Sequence, residues 1–179
     1  MDDEKPRFFL AGNVSIHLDA QGHFFANGER VTHEGIARFF RRHIGVREGQ
    51  LAICNGPAFA PLTCEATPLR VNHVAFVEAD GNSALAIDLD DGRSVIRPIS
   101  ALATTESPES SLVITVPTVD NHHLLWARLD NRALAEIAPY LDDGSSDLRM
   151  IDPMRAITHA IASRCRAGTE VFAFDPSPL

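Results

Sequence analysis

Val14, Ile16 and Leu18 alternate with Ser15, His17 and Asp19, the period of a strand with one buried face. Asp19-Ala-Gln-Gly22 reads as a turn into a second short strand, His23 to Ala26. Asn27-Gly28 closes that strand with residues that take a left-handed backbone at little cost. Thr32 is the expected cap of a helix running to about His43. Within it Ile36, Phe39, Phe40 and His43 recur at i, i+3, i+4 and i+7 as one apolar stripe, with Glu34 and Arg38 paired on the other side. Gln50 to Asn55 predicts a strand, and the proline-punctuated stretch Pro57 to Pro68 an irregular connection.

The plainest pattern lies between Leu69 and Ile99. Leu69–Glu78, Ala84–Asp90 and Arg93–Ile99 are strand-like runs separated by Asp80-Gly81-Asn82 and Asp91-Gly92. Asp-Gly supplies the positive φ angles of tight hairpins, so a three-stranded antiparallel meander is predicted. Leu112 to Val116 and His123 to Leu129 read as two further strands. Asp130 caps a helix whose Leu134, Ile137, Ala138 and Leu141 repeat the earlier stripe, and Asp142-Asp143-Gly144 stops it. A last helix is expected from Asp152 as cap and Pro153 as first helical residue, with Met154, Ile157, Ile161 and Cys165 as its stripe. Val171 to Phe174 adds a closing strand.

These elements predict an α+β protein: antiparallel strands in meanders, helices packed on the sheets, and two similar halves, each with strands plus a helix. The small, polar segment 104–111 is linker-like. It divides residues 1–103, a strand–helix unit plus the meander, from residues 112–179, a strand–helix–helix unit.

Composition narrows the classes of function. The chain has 179 residues, 45% hydrophobic and 22% charged, which suits a globular protein and not a disordered one. Sixteen basic against 24 acidic residues leave a net charge of −8, the wrong sign for bulk nucleic-acid binding. No apolar run has the length of a membrane span, and the acidic start Met1-Asp-Asp-Glu-Lys5 differs from a secretory signal, so a cytoplasmic location is expected. Cys54, Cys64 and Cys165 are then free thiols, at spacings that match no structural zinc site.

Candidate chemistry is sparse. No nucleophile elbow, P-loop or dinucleotide-binding glycine motif follows a strand. Asp88, Asp90 and Asp91 before Gly92 fit a hairpin turn and not a calcium loop. Arg38, Arg41 and Arg42 form a basic outer face on the first helix, where guanidinium forks match carboxylate or phosphate, with Asn72 and His73 as further binding candidates. His17, His23 and His73 lie on predicted strands and, if they converge, supply a metal-dependent or histidine-based hydrolase.

Gly12-Asn13-Val-Ser-Ile-His-Leu-Asp19, Gly22-His-Phe-Phe25, Asn27-Gly28, Ile36-Ala-Arg-Phe-Phe-Arg-Arg42 and Val71-Asn-His-Val-Ala-Phe76 occur in an order that resembles the bacterial domain of unknown function 1285 family. The chain departs from that pattern at Gln21-Gly22, at Phe24 in place of Trp, and at Asn55-Gly56-Pro57, and it lacks the Asp-Ala-Pro element. The resemblance implies a two-part α+β fold with similar halves and a binding or signalling role, without catalytic residues to carry over. The expectation is therefore a non-catalytic binding or regulatory module for a small anion or protein partner, requiring no cofactor and self-associating through a sheet edge or an apolar helix face.

Overall fold

Tight turns at positive φ set the first half of the molecule. The computed structural model describes residues 14–105, 111–142, 149–152, 155–158, 162–165 and 171–173. Strands β1 (Ile16–Leu18), β2 (Phe24–Ala26) and β3 (Glu29–Arg30) lead to helix α1 (Glu34–Arg42), followed by β4 (Ile44–Arg47), β5 (Gln50–Asn55) and β6 (Ala58–Cys64). They form one mixed sheet in the order β3-β2-β1-β6-β5-β4, with β1 parallel to β6. Asn27 and Gly28, at φ 51° and 85°, turn β2 into β3, and the twist of such a pair matches that of the flanking strands.

Much of the stretch expected to be irregular, Pro57 to Pro68, is strand β6. Asn55 and Ala58 close the two-residue β5–β6 turn, and bonded and non-bonded pairs alternate from there. Pro61 therefore meets Ala52 in a non-bonded pair, and its missing N–H faces the other flank, where pairing with β1 starts one residue later at Leu62. Helix α1 is capped one residue later than expected. His33, not Thr32, has the extended cap backbone, and its Nδ1 accepts from the Gly35 amide at 3.2 Å.

The second half holds the expected meander, β7 (Leu69–Ala79), β8 (Asn82–Leu89) and β9 (Ser94–Pro98). Asp80 and Gly81 make its first turn at φ 50° and 77°. A 3-10 turn (Ile99–Ala101) leads to β10 (Leu102–Thr105), β11 (Leu112–Pro117), β12 (His123–Leu129) and helix α2 (Asn131–Ile137). As expected, Asp130 caps α2, its Oδ1 accepting from the Ala133 amide at 2.8 Å. The helix ends sooner than its stripe predicts, because Pro139 cannot continue the ladder; Ala138–Tyr140 is a 3-10 turn and Leu141 opens β13 (Leu141–Asp142).

Beyond it lie β14 (Arg149–Asp152), β15 (Arg155–Thr158), β16 (Ala162–Cys165) and β17 (Val171–Ala173). The last helix expected from Asp152 is thus replaced by strands wherever the segment is described; Pro153, Met154 and residues 159–161 lie outside the described residues. Asp152 pairs with Arg155 to close a β14–β15 hairpin. A residue before proline is biased away from helix, and β-branched Ile151, Ile157 and Thr158 favour strand.

The second sheet runs β16-β10-β11-β12-β7-β8-β9, with β17 beside β12, and β13, β14 and β15 form a small third sheet. Strand β12 lies parallel to β7, as β6 does to β1. The fold is α+β, in two similar halves that each combine a mixed sheet with a helix. β10, which runs into the linker-like segment as far as Thr105, pairs directly with β11, while residues 106–110 lie outside the described residues.

One cluster of buried side chains is shared by both sheets and both helices, from Ile16, Phe24 and Phe40 to Leu85, Leu125 and Ile137. The second sheet also curls on itself. Pairing between β10 and β11 ends at Ile114, leaving one flank of β11 unladdered beyond it. Arg97 Nε donates to the Thr115 carbonyl at 2.8 Å and Arg93 Nη1 to the Pro117 carbonyl at 2.7 Å, so two side chains of the β9 region latch that flank. Among the described residues no helix is long and apolar enough to cross a membrane.

Candidate functional site

The three arginines of α1 do not form one surface. Phe40 anchors the helix in the core, and Arg41 and Arg42 reach the consecutive residues Asp90 and Asp91 while Arg38 does not. Arg38 is exposed and has no partner among the described residues. Arg41 turns inward: its Nη1 donates to Asp90, its Nη2 donates to the Gly22 carbonyl at 2.9 Å, and its guanidinium lies 5.5 Å from the Phe24 ring centroid. Arg42 reaches across to the β8–β9 turn, donating Nε to the Asp91 carbonyl at 3.3 Å.

Asn72 is exposed on β7, and its neighbour His73 serves the fold. Glu136 of α2 accepts from His73 at 2.6 Å and from the Val74 amide at 2.8 Å, pinning helix to sheet. The Val74 amide, then His73 and Arg132, hold the Glu136 carboxyl below its ordinary 4.5.

A different basic centre comes from the parallel join of β7 and β12. Arg70 and Arg128 are register partners across it, so their side chains leave the same face of neighbouring strands about 4.8 Å apart. Both line a cavity of about 200 Å³ with Ala20, Leu129, Asp130 and Asn131, which adjoins a tighter recess holding Arg41, Asp90 and Gly22. Arg70 donates one Nη2–H to the Ala20 carbonyl at 3.1 Å. Gly22, at φ 88°, keeps the turn close to it: a Cβ there would sit 2.8 Å from Arg70 Nη2.

Of the acidic groups nearby, Asp90 is fully engaged and Asp130 in part. Asp90 accepts from the Arg70 amide at 3.0 Å and from Arg41, and burial pushes its carboxyl above the ordinary 3.8 despite that guanidinium. Asp130 gives one oxygen to its helix cap. Arg128, half-buried, has no partner among the described residues. Two like charges facing each other, one of them unpaired in a cavity, make an arrangement that an anion completes.

The pattern of residues around these arginines carries a signal of its own. Leu69-Arg70-Val71 and Ala127-Arg128-Leu129 each place one arginine between buried apolar residues, the second directly before a helix cap. Only the non-local strand pairing reveals that they face one another.

The histidines do not converge. His17 bonds Thr63 Oγ1 at 3.0 Å and Glu65 at 3.2 Å, His23 bonds Asp19 at 3.1 Å, and His73 bonds Glu136. Each ring is taken by its own carboxylate, and among the described residues no three His, Cys, Asp or Glu side chains are placed to hold a metal ion. Cys54 and Cys64 are free thiols.

No protein-family model matches the chain, and no curated protein matches it. Among solved structures it is similar to a DUF1285 family protein from Silicibacter pomeroyi, with 12% identity, a TM-score of 0.62, and coverage of 85% of this chain and 81% of that one. A DUF1285 family protein from Shewanella baltica is 14% identical over 72% of this chain and 94% of that one, with a TM-score of 0.49. The first likeness carries the resemblance seen in residues 11–76 to a shared fold across most of the chain.

Proposed function

We propose that this chain is a non-catalytic binding or regulatory module that takes a small anion in the cavity between β7 and β12. The observation that carries this is the Arg70–Arg128 pair, in register on parallel strands, with Arg128 half-buried and without a partner among the described residues. Guanidinium forks in a partly desolvated recess bind oxyanions more strongly than the same groups do in open water. A role without bond-making is supported by the neighbouring Asp90, whose carboxylate is engaged by the Arg70 amide and by Arg41.

Arg38 and Arg42 belong to this site less well than Arg41, which stands behind it. Calorimetric titration with inorganic phosphate and with succinate, at fixed ionic strength against chloride, tests the proposal. Saturable binding of at least one anion is expected, weakened about tenfold or more by Arg128→Met, since a charge-assisted hydrogen bond contributes roughly 1.5–3 kcal/mol. Arg38→Met is expected to leave it unchanged. Equal binding by the wild type and Arg128→Met sinks the proposal.

A further inference from the structure

Resting on the anion-binding reading above, we infer that the ligand is a small zwitterion: a phosphomonoester carrying a cationic ammonium group. Two features of the cavity wall point to each end of it. Arg70 and Arg128 present two forks side by side from neighbouring strands. A planar carboxylate is satisfied by one fork, whereas a tetrahedral phosphoryl group offers three oxygens and spans both. Among the described residues the Arg70 guanidinium spends one hydrogen-bond donor, on Ala20.

The second feature is Asp130, one of the residues that line the cavity. Its Oδ1 accepts from the Ala133 amide at 2.8 Å, and its Oδ2 has no partner among the described residues. Neither arginine forms an ion pair with it. The cavity thus carries two positive charges and one negative charge, and a plain dianion would leave the carboxylate facing negative charge. A phosphoryl group of about −1.5 to −2 joined to an ammonium is the charge complement. At about 200 Å³ the space falls below the ~300–1,000 Å³ of drug-sized ligand sites, so the organic part is a few atoms and not a nucleoside.

Phosphoethanolamine is the soluble probe, with inorganic phosphate and succinate beside it. Asp130→Asn removes the charge and keeps a side chain that caps helices equally well, so α2 is preserved. Phosphoethanolamine should bind the wild type about tenfold more tightly than inorganic phosphate, and Asp130→Asn should erase that preference without weakening phosphate. Flotation with vesicles containing phosphatidylethanolamine, a phosphodiester with two free phosphoryl oxygens and a single negative charge, is the contrasting arm. Binding of the free compound and not of the vesicles is expected, and vesicle binding lost in both Arg128→Met and Asp130→Asn overturns the monoester in favour of a lipid headgroup. Equal affinity for phosphate and phosphoethanolamine, or a preference that survives Asp130→Asn, overturns the zwitterion while leaving anion binding intact. Succinate bound with phosphate excluded does the same, and no binding of any of the three removes the anion reading itself.

Discussion

Replacing Arg128 with Met should make the ligand-free protein more stable. Arg128 faces Arg70 in register, and like charges directly opposite one another in a sheet cost roughly 0.2–1 kcal/mol. Met keeps a long, flexible stem in a half-buried position, and no described partner is lost with the guanidinium. Stability should therefore rise by up to about 1 kcal/mol, or up to about 4 °C in Tm for a domain of this size. The gain should shrink at high salt, where the screening length falls to about 3 Å. Saturating ligand should reverse the order, because a hundredfold excess over the wild-type Kd stabilises the wild type by about 2.7 kcal/mol and a variant that binds tenfold more weakly by only about 1.4 kcal/mol. Urea unfolding in a low-salt, phosphate-free buffer and again with saturating ligand measures both, with Arg38→Met as a surface-charge control. A loss of more than about 1 kcal/mol in the ligand-free Arg128→Met protein would refute the reasoning, since the guanidinium would then be part of the fold.

Gly22→Ala puts a Cβ at a left-handed φ and 2.8 Å from the Arg70 guanidinium; a loss of about 1–2 kcal/mol is expected, with weaker phosphate binding as Arg70 is displaced, and a urea midpoint equal to wild type contradicts it. Acid should destabilise the protein. Burial raises Asp19 and Asp120, yet hydrogen bonds from His23 to the first, and from Thr118 and His122 to the second, hold both below 3.8, and Glu136 lies below 4.5. Stability from these three groups is full above those ordinary values and is lost as pH falls through the lower folded ones. Asp90, pushed up by burial, works in the opposite sense, since its protonation relieves a cost. The net expectation is a urea midpoint that falls below about pH 4, and a flat midpoint there refutes it. Burial pushes Cys64 up to about 12 and raises the less buried Cys54 by a smaller margin. A thiol-directed alkylator at mildly alkaline pH should therefore label Cys54 before Cys64, as peptide mass mapping will show, and the reverse order would contradict the assignment.

Local signals were legible in the sequence. The Asp-Gly turns announced the meander, and the apolar stripes announced α1 and α2, because each depends on residues a few positions apart. Strand β6 was hidden because Pro61 reads as a breaker until its position in a non-bonded pair is known. The segment after Asp152 kept a helical spacing of Ile157 and Ile161, but its described residues pair as strands across Asp152 and Arg155. The candidate site was the least legible. Arg41 belongs to a basic face in the sequence, and the fold turns it toward Asp90. Arg70 and Arg128 lie 58 positions apart, and only the parallel pairing of β7 with β12 brings them opposite each other.

The latch of Arg93 and Arg97 onto β11 has a consequence for how the molecule behaves among its own copies. A strand flank with bare carbonyls is a template on which a second chain can polymerise, the first step toward fibrils. Here the carbonyls of Thr115 and Pro117 are already occupied by guanidinium groups. Positive charge bound to a main-chain rim repels less than it blocks: an incoming strand must first unfasten two side chains before it gains a single rung. Loss of either arginine should therefore show itself less in how firmly the protein folds than in how long it stays dispersed.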